Sequence, residues 1–149
     1  MLYALSLALL ILLLFVGLSV ASRFVQQSGL GGGKLRPCPD TPNCVCSEFP
    51  GDHFISPVLI APLSPEQAMQ RMTHAIRASG GHIEAQQTDY VHATFTTSIM
   101  RYVDDVELRL DPEHGLLHLR SASRVGHSDL GANRHRLEQI ITRYAATAH

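Results

Sequence analysis

The fold of this chain is decided by residues 104–136, DDVELRLDPEHGLLHLRSASRVGHSDLGANRHR. Apolar and polar side chains alternate on both sides of a DPEHG turn, which is typical of two antiparallel strands with one buried face and one polar face. We predict these strands over 103–110 and 117–125. A helix should start near Ser128 or Asp129, because both residues are good N-caps. The density of Arg, Asp and Ser makes this the stretch in which any chemistry should lie.

The register of the two strands follows from their faces. An arrangement that keeps apolar side chains opposite apolar ones also brings carboxylates opposite basic residues. A slip of one residue would place Val106 against Arg120, which is unfavourable. The predicted pairs are Leu108 with Leu117, Val106 with Leu119, Asp105 with Arg120, and Glu107 with His118.

A helix and two further strands precede this hairpin. Ser64-Pro65-Glu66-Gln67 has the composition of a capping box, and Gly80-Gly81 ends the apolar helical pattern that follows it. Alternating side chains over 82–86 and 90–99 predict two strands. The order helix, four antiparallel strands, helix predicts an α+β fold, a two-layer sandwich in which two helices cover one face of a four-stranded antiparallel sheet.

The other face of the sheet should be polar and open to solvent, and it is the candidate binding surface. By alternation its side chains are His92, Thr94, Thr96, Asp105, Arg120 and Arg124. Arginine presents forked donors that suit a phosphate, a carboxylate or a lipid headgroup. The simpler interpretation is that the arginines only form ion pairs with nearby carboxylates. The candidate ligand-binding residues are Arg120, Arg124, Asp105, His127, Asp129 and Arg134.

Arg134 also needs a partner inside the domain. It falls in the apolar stripe of the last predicted helix, and an arginine on the buried side of a helix usually meets a carboxylate or a carbonyl. Asp104, which points toward the core at the start of the third strand, is the expected partner. The stripe itself consists of Leu130, Leu137, Ile140, Ile141 and Tyr144.

Residues 2–20 form an uncharged, largely apolar run that matches the roughly 20 residues needed to cross a bilayer. Ser19-Val20-Ala21 would suit signal-peptide cleavage, but no Lys or Arg precedes the run, so residues 1–21 are predicted to be a transmembrane anchor, with a signal peptide as the alternative. The sequence SGLGGG favours a flexible linker over 22–36. Residues 37–149 are predicted to be a single α+β domain with a Cys/Pro-rich N-terminal loop.

Three cysteines lie close together in a Pro-rich segment that predicts turns. Such short loops bring two cysteines within bridging distance, so a disulfide between Cys38 and Cys44 is one interpretation. A metal site formed with Cys46 and His53 is a second, although the close paired spacing of structural zinc sites is missing. Redox chemistry is a third.

Several of these residues resemble the pattern of an uncharacterised family, domain of unknown function 1499. The matching pieces are Cys38-Pro39, Pro42-Asn43-Cys44-Val45, Asp104-Asp105-Val106-Glu107, Arg120-Ser121-Ala122-Ser123-Arg124-Val125-Gly126, Ser128-Asp129-Leu130-Gly131 and Asn133-Arg134. The resemblance spans roughly residues 36–144 and implies a membrane-associated or exported protein without an established activity. It also implies that Cys38 and Cys44 are the pair, because Cys46 stands where the family usually has Ser.

The charge and composition exclude one class of partner. With a net charge of −1, 6% aromatic residues and no Trp, the chain lacks the basic patch and stacking aromatics of a nucleic-acid reader. The predicted partner is the membrane, contacted through residues 2–20. The positive-inside rule would place Arg23, Lys34 and Arg36 in the cytoplasm, whereas the cysteines favour the opposite side. We predict a membrane-anchored protein whose soluble domain is extracytoplasmic.

The favoured function is a non-catalytic binding module for an anionic small molecule, a lipid headgroup or a membrane protein partner, without a cofactor or a metal. One alternative is a hydrolase, because Ser121 or Ser123 with His127 and Asp129 contains the residue types of a catalytic triad. Both serines should lie on the buried side, however, and no Gly-x-Ser-x-Gly elbow is present. The other alternative is a structural assembly protein of the cell envelope.

Overall fold

The computed structural model describes residues 2–146. Met1 of the predicted segment 1–21 and residues 147–149 of the predicted domain 37–149 lie outside the described residues. The elements are α1 (Leu2–Phe24), β1 (Leu30–Gly31), β2 (Lys34–Leu35), β3 (Cys44–Cys46), β4 (Val58–Leu59), α2 (Pro65–Ala78), β5 (His82–Gln86), β6 (Tyr90–Thr96), β7 (Val103–Asp111), β8 (Leu116–Ser123) and α3 (Ala132–Ala146).

The main sheet is antiparallel and has six strands. The path β3-β8-β7-β6-β5 accounts for five of them, and β4 pairs with the first residues of β8. The α+β class is therefore confirmed, but the prediction of four strands is wrong. The two missed strands, β3 and β4, contain three and two residues. Segments this short cannot display an alternating pattern, and both lie in stretches rich in proline.

The hydrophobic core lies between one face of this sheet and the helices α2 and α3. The predicted capping box starts α2: the Ser64 hydroxyl accepts the Gln67 N–H, and the Gln67 side chain accepts the Ser64 N–H. The start of α3 lies at Ala132, later than predicted, although the Asp129 carboxylate still accepts the N–H of Asn133 in the first turn and that of Gly131 just before it. Leu130 does not join the apolar stripe of α3, because it precedes the helix and is 97% exposed.

The β7–β8 register differs from the predicted one by two residues. Leu108 lies opposite Leu119, and Glu107 lies opposite Arg120 rather than His118. A shift of two residues leaves every side chain on its original face, so alternation cannot detect it. The turn decides the register: Asp111 pairs with Leu116, which leaves Gly115 in the turn with a positive φ of 64°.

The second face of the sheet is covered around Asp105, Glu107 and Arg120, so the prediction that this face is open to solvent is wrong there, whereas Thr96 on the same face is exposed. The end of α1 and the chain that follows it run across this face. Ser22 and Leu35 are each 0% exposed, and Leu35 packs with Tyr90 and Cys46. The segment 22–36, predicted as a flexible linker, thus has a defined path on the sheet. We call residues 22–35 the covering segment.

Helix α1 is long and apolar enough to cross a membrane: its most apolar 18-residue window within Tyr3–Phe24 has a mean hydropathy of 2.8, and none of that window is buried by the rest of the protein. A helix of this kind at the N-terminus is typical of a membrane anchor or a signal sequence. Its end is attached to the sheet. The Val103 N–H donates to the Ser22 hydroxyl at 3.2 Å, and the Arg124 guanidinium donates to the Ser22 carbonyl at 3.2 Å.

Candidate functional site

The covered face of the sheet carries a ladder of buried charged residues. Alternation along β6, β7 and β8 places their polar side chains on this face, as predicted. Asp105 and Glu107 are 0% exposed and Arg120 is 2% exposed. Burial of unpaired charges would be very costly, so each of these groups requires a partner.

Glu107 and Arg120 form the central pair of this ladder. Arg120 Nη1 lies 2.9 Å from Glu107 Oε2. The other carboxylate oxygen accepts the Tyr90 hydroxyl at 2.6 Å and the Gly29 N–H at 2.7 Å. Burial and the Glu107 carboxylate raise the pKa of Tyr90, so its phenol stays protonated and keeps donating.

Asp105 lies between two basic side chains. Arg124 donates through Nη2 at 2.6 Å and through Nε at 2.9 Å, and His92 Nε2 lies 2.7 Å away. Burial alone would raise the pKa of Asp105, but the hydrogen bonds from His92 and Arg124, together with their charges, outweigh burial and lower it. Asp105 is therefore held as a carboxylate, and most donors of Arg124 are already in use.

The covering segment itself forms hydrogen bonds with Arg120 and Glu107, at positions where an external ligand was predicted to bind. The Gln27 carbonyl accepts Arg120 Nη1 at 3.3 Å, and the Gly29 N–H donates to Glu107. The Arg120 Nε atom has no hydrogen-bond partner among the described residues. The predicted binding surface around Arg120 is thus a closed ion-pair network, as in the simpler of the two interpretations.

The other predicted ligand-binding residues lie elsewhere. His127 is exposed in the loop after β8, and Asp129 caps the start of α3. Arg134 donates to the Phe54 carbonyl at 2.9 Å. Asp129 and Arg134 line a small cavity of about 240 Å³ that does not include Arg120 or Arg124. Five of the six predicted residues therefore form two separate groups, and His127 belongs to neither.

The arginine that pairs with Asp104 is Arg136 and not Arg134. Arg136 Nη2 lies 2.6 Å from Asp104 Oδ2. The later start of α3 shows which residues face the sheet: Asn133 is 0% exposed and lies one turn before the buried Leu137, and Arg136 lies on the same side of the helix. Sequence reasoning missed Asn133, although its spacing of four residues from Leu137 was a usable signal.

Asn133 joins several polar groups between α3 and the sheet. Its amide donates to the Asn43 carbonyl at 2.9 Å, and its side-chain oxygen accepts the Ser121 hydroxyl at 2.5 Å. Ser121 also accepts a hydrogen bond from Arg136 at 3.0 Å and is 0% exposed. Ser121 is therefore a buried structural hydroxyl, which removes the main support for a hydrolase built around it.

The cysteine segment forms the predicted disulfide between Cys38 and Cys44. Cys46 is free and buried, and burial raises its pKa. The bond uses two of the four side chains of the alternative metal site. Within residues 2–146 no group of three or more His, Cys, Asp or Glu side chains is placed to hold a metal ion.

A second polar site lies beside the end of α1, and sequence reasoning did not identify it as a whole. It is a cleft of about 440 Å³, here called the arginine cleft. Its lining consists of Arg23, His82, Glu84, Thr94, Thr96, Arg101, Val103 and Arg124. Arg124 is paired with Asp105, so Arg23 and Arg101 against Glu84 give the cleft a positive balance, which favours an anion. Arg23, Arg101 and Arg124 come from three distant segments, so no local motif could reveal it.

Arg23 and Arg101 are the two arginines of the cleft that remain available to a ligand. Both are exposed, and neither forms an ion pair within the part of the chain that the structure describes. Arg101 has a positive φ of 57°, a backbone conformation that is unusual for a residue other than glycine. The Ser19 hydroxyl donates to its carbonyl at 3.4 Å, which ties this loop to α1.

Comparison with known protein families gives one match. Residues 34–143 match the model of a family described as "Protein of unknown function (DUF1499)". The match begins in β2 and ends within α3, so it covers most of the chain and confirms the resemblance found in the sequence. No curated protein matches the chain.

Proposed function

The chain belongs to this family of unknown function, and we propose that it is a membrane-tethered, non-catalytic binding module that holds an anionic lipid headgroup in the arginine cleft. The observation that supports this most is the position of the cleft: Arg23, in the last turn of α1, is one of its walls. A phosphate group at this position would meet forked guanidinium donors, which recognise phosphate oxygens well.

The depth of the cleft relative to a bilayer follows from α1. The apolar run of α1 extends to Val20, close to the roughly 20 residues that cross the hydrocarbon core. Arg23 comes one turn later, at the level expected for lipid headgroups. The hydrogen bonds from Ser19 to Arg101 and from Val103 to Ser22 bring the rest of the cleft to the same level.

This proposal moves the ligand away from the residues first predicted for it. Arg120 is enclosed and paired with Glu107, and Arg124 reaches the cleft while its donors serve Asp105 and Ser22. Arg124 therefore fixes the shape of the cleft, whereas Arg23 and Arg101 supply the donors.

We also propose that α1 remains attached as an anchor and that the domain lies on the extracytoplasmic side. Ser22, directly after the cleavage-like Ser19-Val20-Ala21, is fully buried, and its hydroxyl donates to the Ser19 carbonyl at 2.8 Å. The end of α1 is in this way part of the domain. The disulfide supports an oxidising compartment.

The substitution Arg101→Gly tests the proposal, because it separates binding from folding. Glycine adopts the positive φ of this position without steric cost, so we expect an unchanged melting temperature. Loss of a charge-assisted contact worth about 1.5–3 kcal/mol should weaken anionic lipid binding roughly ten- to a hundredfold. The measurement is native mass spectrometry of the full chain in detergent, with phosphatidylglycerol and phosphatidylcholine in competition.

The matched control is Arg36→Gly. Arg36 is exposed and does not line the cleft, so this variant removes the same charge from a different place. It should retain the wild-type preference for phosphatidylglycerol. Equal retention of phosphatidylglycerol by Arg101→Gly and wild type would contradict the proposal.

A further inference from the structure

We propose that the loop between β6 and β7, residues 97–102, is a second membrane contact that inserts Ile99 and Met100 into the bilayer entered by α1. The inference rests on the proposed membrane anchor but not on the ligand of the arginine cleft. Ile99 is 87% exposed and Met100 is 40% exposed. Both are apolar, they are adjacent, and they are the two central residues of the loop.

The attachment of the loop to α1 sets its depth. The Ser19 hydroxyl donates to the carbonyl of Arg101, the residue directly after Met100. Ser19 lies at the end of the apolar run, where a membrane-spanning helix leaves the hydrocarbon core. The loop is thus held at the boundary between hydrocarbon and headgroups, so no movement of the domain is needed to bring its apolar side chains to the bilayer.

The base of the loop is closed by hydrogen bonds. The Thr97 N–H donates to the Tyr102 carbonyl at 2.9 Å, and the Tyr102 N–H donates to the Thr97 hydroxyl at 2.9 Å. The four residues between them form a short projection and not a loose strand. Because the conformation of the loop is fixed, the insertion of Ile99 and Met100 into the bilayer should cost little conformational freedom.

The residue after the apolar pair suits this boundary. Arg101 can extend its charged end to the headgroups while its aliphatic part stays near the hydrocarbon. Single exposed apolar residues are common on protein surfaces, but this pair lies directly beside the end of a membrane helix. We therefore assign the bilayer, and not another protein, as its partner.

The test uses the absence of tryptophan from the chain. In Ile99→Trp the indole is the only one, so its fluorescence reports the environment of the loop. The full chain is reconstituted into vesicles of phosphatidylcholine and phosphatidylglycerol. We expect blue-shifted emission and strong quenching when the phospholipids carry bromine on their acyl chains.

Leu59→Trp is the matched control. Leu59 is also an exposed apolar residue, at 69% exposure, and it pairs with Leu116 at the opposite end of the sheet. That end lies roughly 26 Å from Val103 at the strand rise of about 3.3 Å per residue. This variant should show water-exposed emission that brominated lipid does not quench.

Equal emission and equal quenching in the two variants would overturn the inference. Blue-shifted emission of Ile99→Trp without bromine quenching would also overturn it, because it would place the loop against protein. The result is separable from the proposed function: insertion can fail while Arg101→Gly still loses phosphatidylglycerol, and insertion can succeed in a chain that shows no headgroup preference.

Discussion

Asp105 is the residue whose ionisation contributes most clearly to the pH dependence of folding. Because its pKa is lowered in the folded protein by His92 and Arg124 against the opposing effect of burial, the folded state binds this proton less readily than the unfolded state. The resulting stabilisation is fully present above the ordinary aspartate pKa of about 3.9 and is lost as the pH falls through the lower, folded value.

We expect Asp105→Asn to be destabilised at neutral pH, by about 3–5 kcal/mol, because Arg124 would remain buried without its carboxylate. The difference in unfolding free energy between wild type and Asp105→Asn should shrink as the pH falls below about 4. Chemical unfolding of the full chain in detergent, followed by circular dichroism at several pH values, measures this. A difference that is constant over the acidic range would contradict the assignment.

At the level of residues, the sequence predicted which face of the sheet a side chain occupies more accurately than which groups it contacts. Alternation correctly placed Asp105, Arg120 and Arg124 on the same side of the sheet. It could not show that this side is covered, because two of the covering contacts come from the backbone of Gln27 and Gly29. Every residue except proline has the same backbone N–H and C=O groups, so the composition of residues 22–36 could not reveal that their backbone contacts the sheet.

The covering segment is the element that sequence analysis described least well. Its hairpin pairs Leu30 with Leu35, so the two leucines lie opposite each other at the same level. They differ in burial: Leu35 is 0% exposed, whereas Leu30 is 37% exposed. If this hairpin stabilises the domain, the two positions should respond very differently to truncation.

We expect Leu35→Ala to lower the unfolding free energy by about 2–5 kcal/mol, because it leaves a cavity beside Tyr90 and Cys46. Leu30→Ala should cost no more than about 0.5 kcal/mol. Denaturant unfolding of both full-length variants provides the comparison. Similar small losses for both would mean that residues 22–36 act as the flexible linker that their composition suggests.

For whole elements, the sequence pattern could not determine the register of the strands or the phase of the last helix. Alternation has a period of two, so it cannot distinguish pairings that differ by two residues, and the DPEHG turn decided between them. For α3, Asp129 was correctly predicted to accept backbone N–H groups at the start of the helix, but the helix begins only at Ala132. The buried side of α3 carries Asn133, Leu137, Ile140 and Tyr144, and this phase brings Arg136 rather than Arg134 to Asp104.

On the scale of the whole molecule, two features give opposite indications of which side of the membrane the domain occupies. The basic residues Arg23, Lys34 and Arg36, at and after the end of α1, favour the cytoplasm by the positive-inside rule. The disulfide between Cys38 and Cys44 favours an oxidising compartment. The structure gives one of those basic residues another role, because Arg23 lines the arginine cleft. The disulfide supports the proposed extracytoplasmic side, and its presence in the cell can be measured directly.

The chain has three cysteines, of which Cys46 is free and buried with a raised pKa. Because a buried, protonated thiol reacts slowly, the folded chain should take up little maleimide. After acid quenching of cells and denaturation without reductant, we expect one maleimide per chain by mass spectrometry, and three after reduction. Cys46→Ser should take up none without reductant and two with it. Three labels on the unreduced wild type would mean that both partners are thiols in the cell, which places the domain in the reducing cytosol and rules out the proposed extracytoplasmic side.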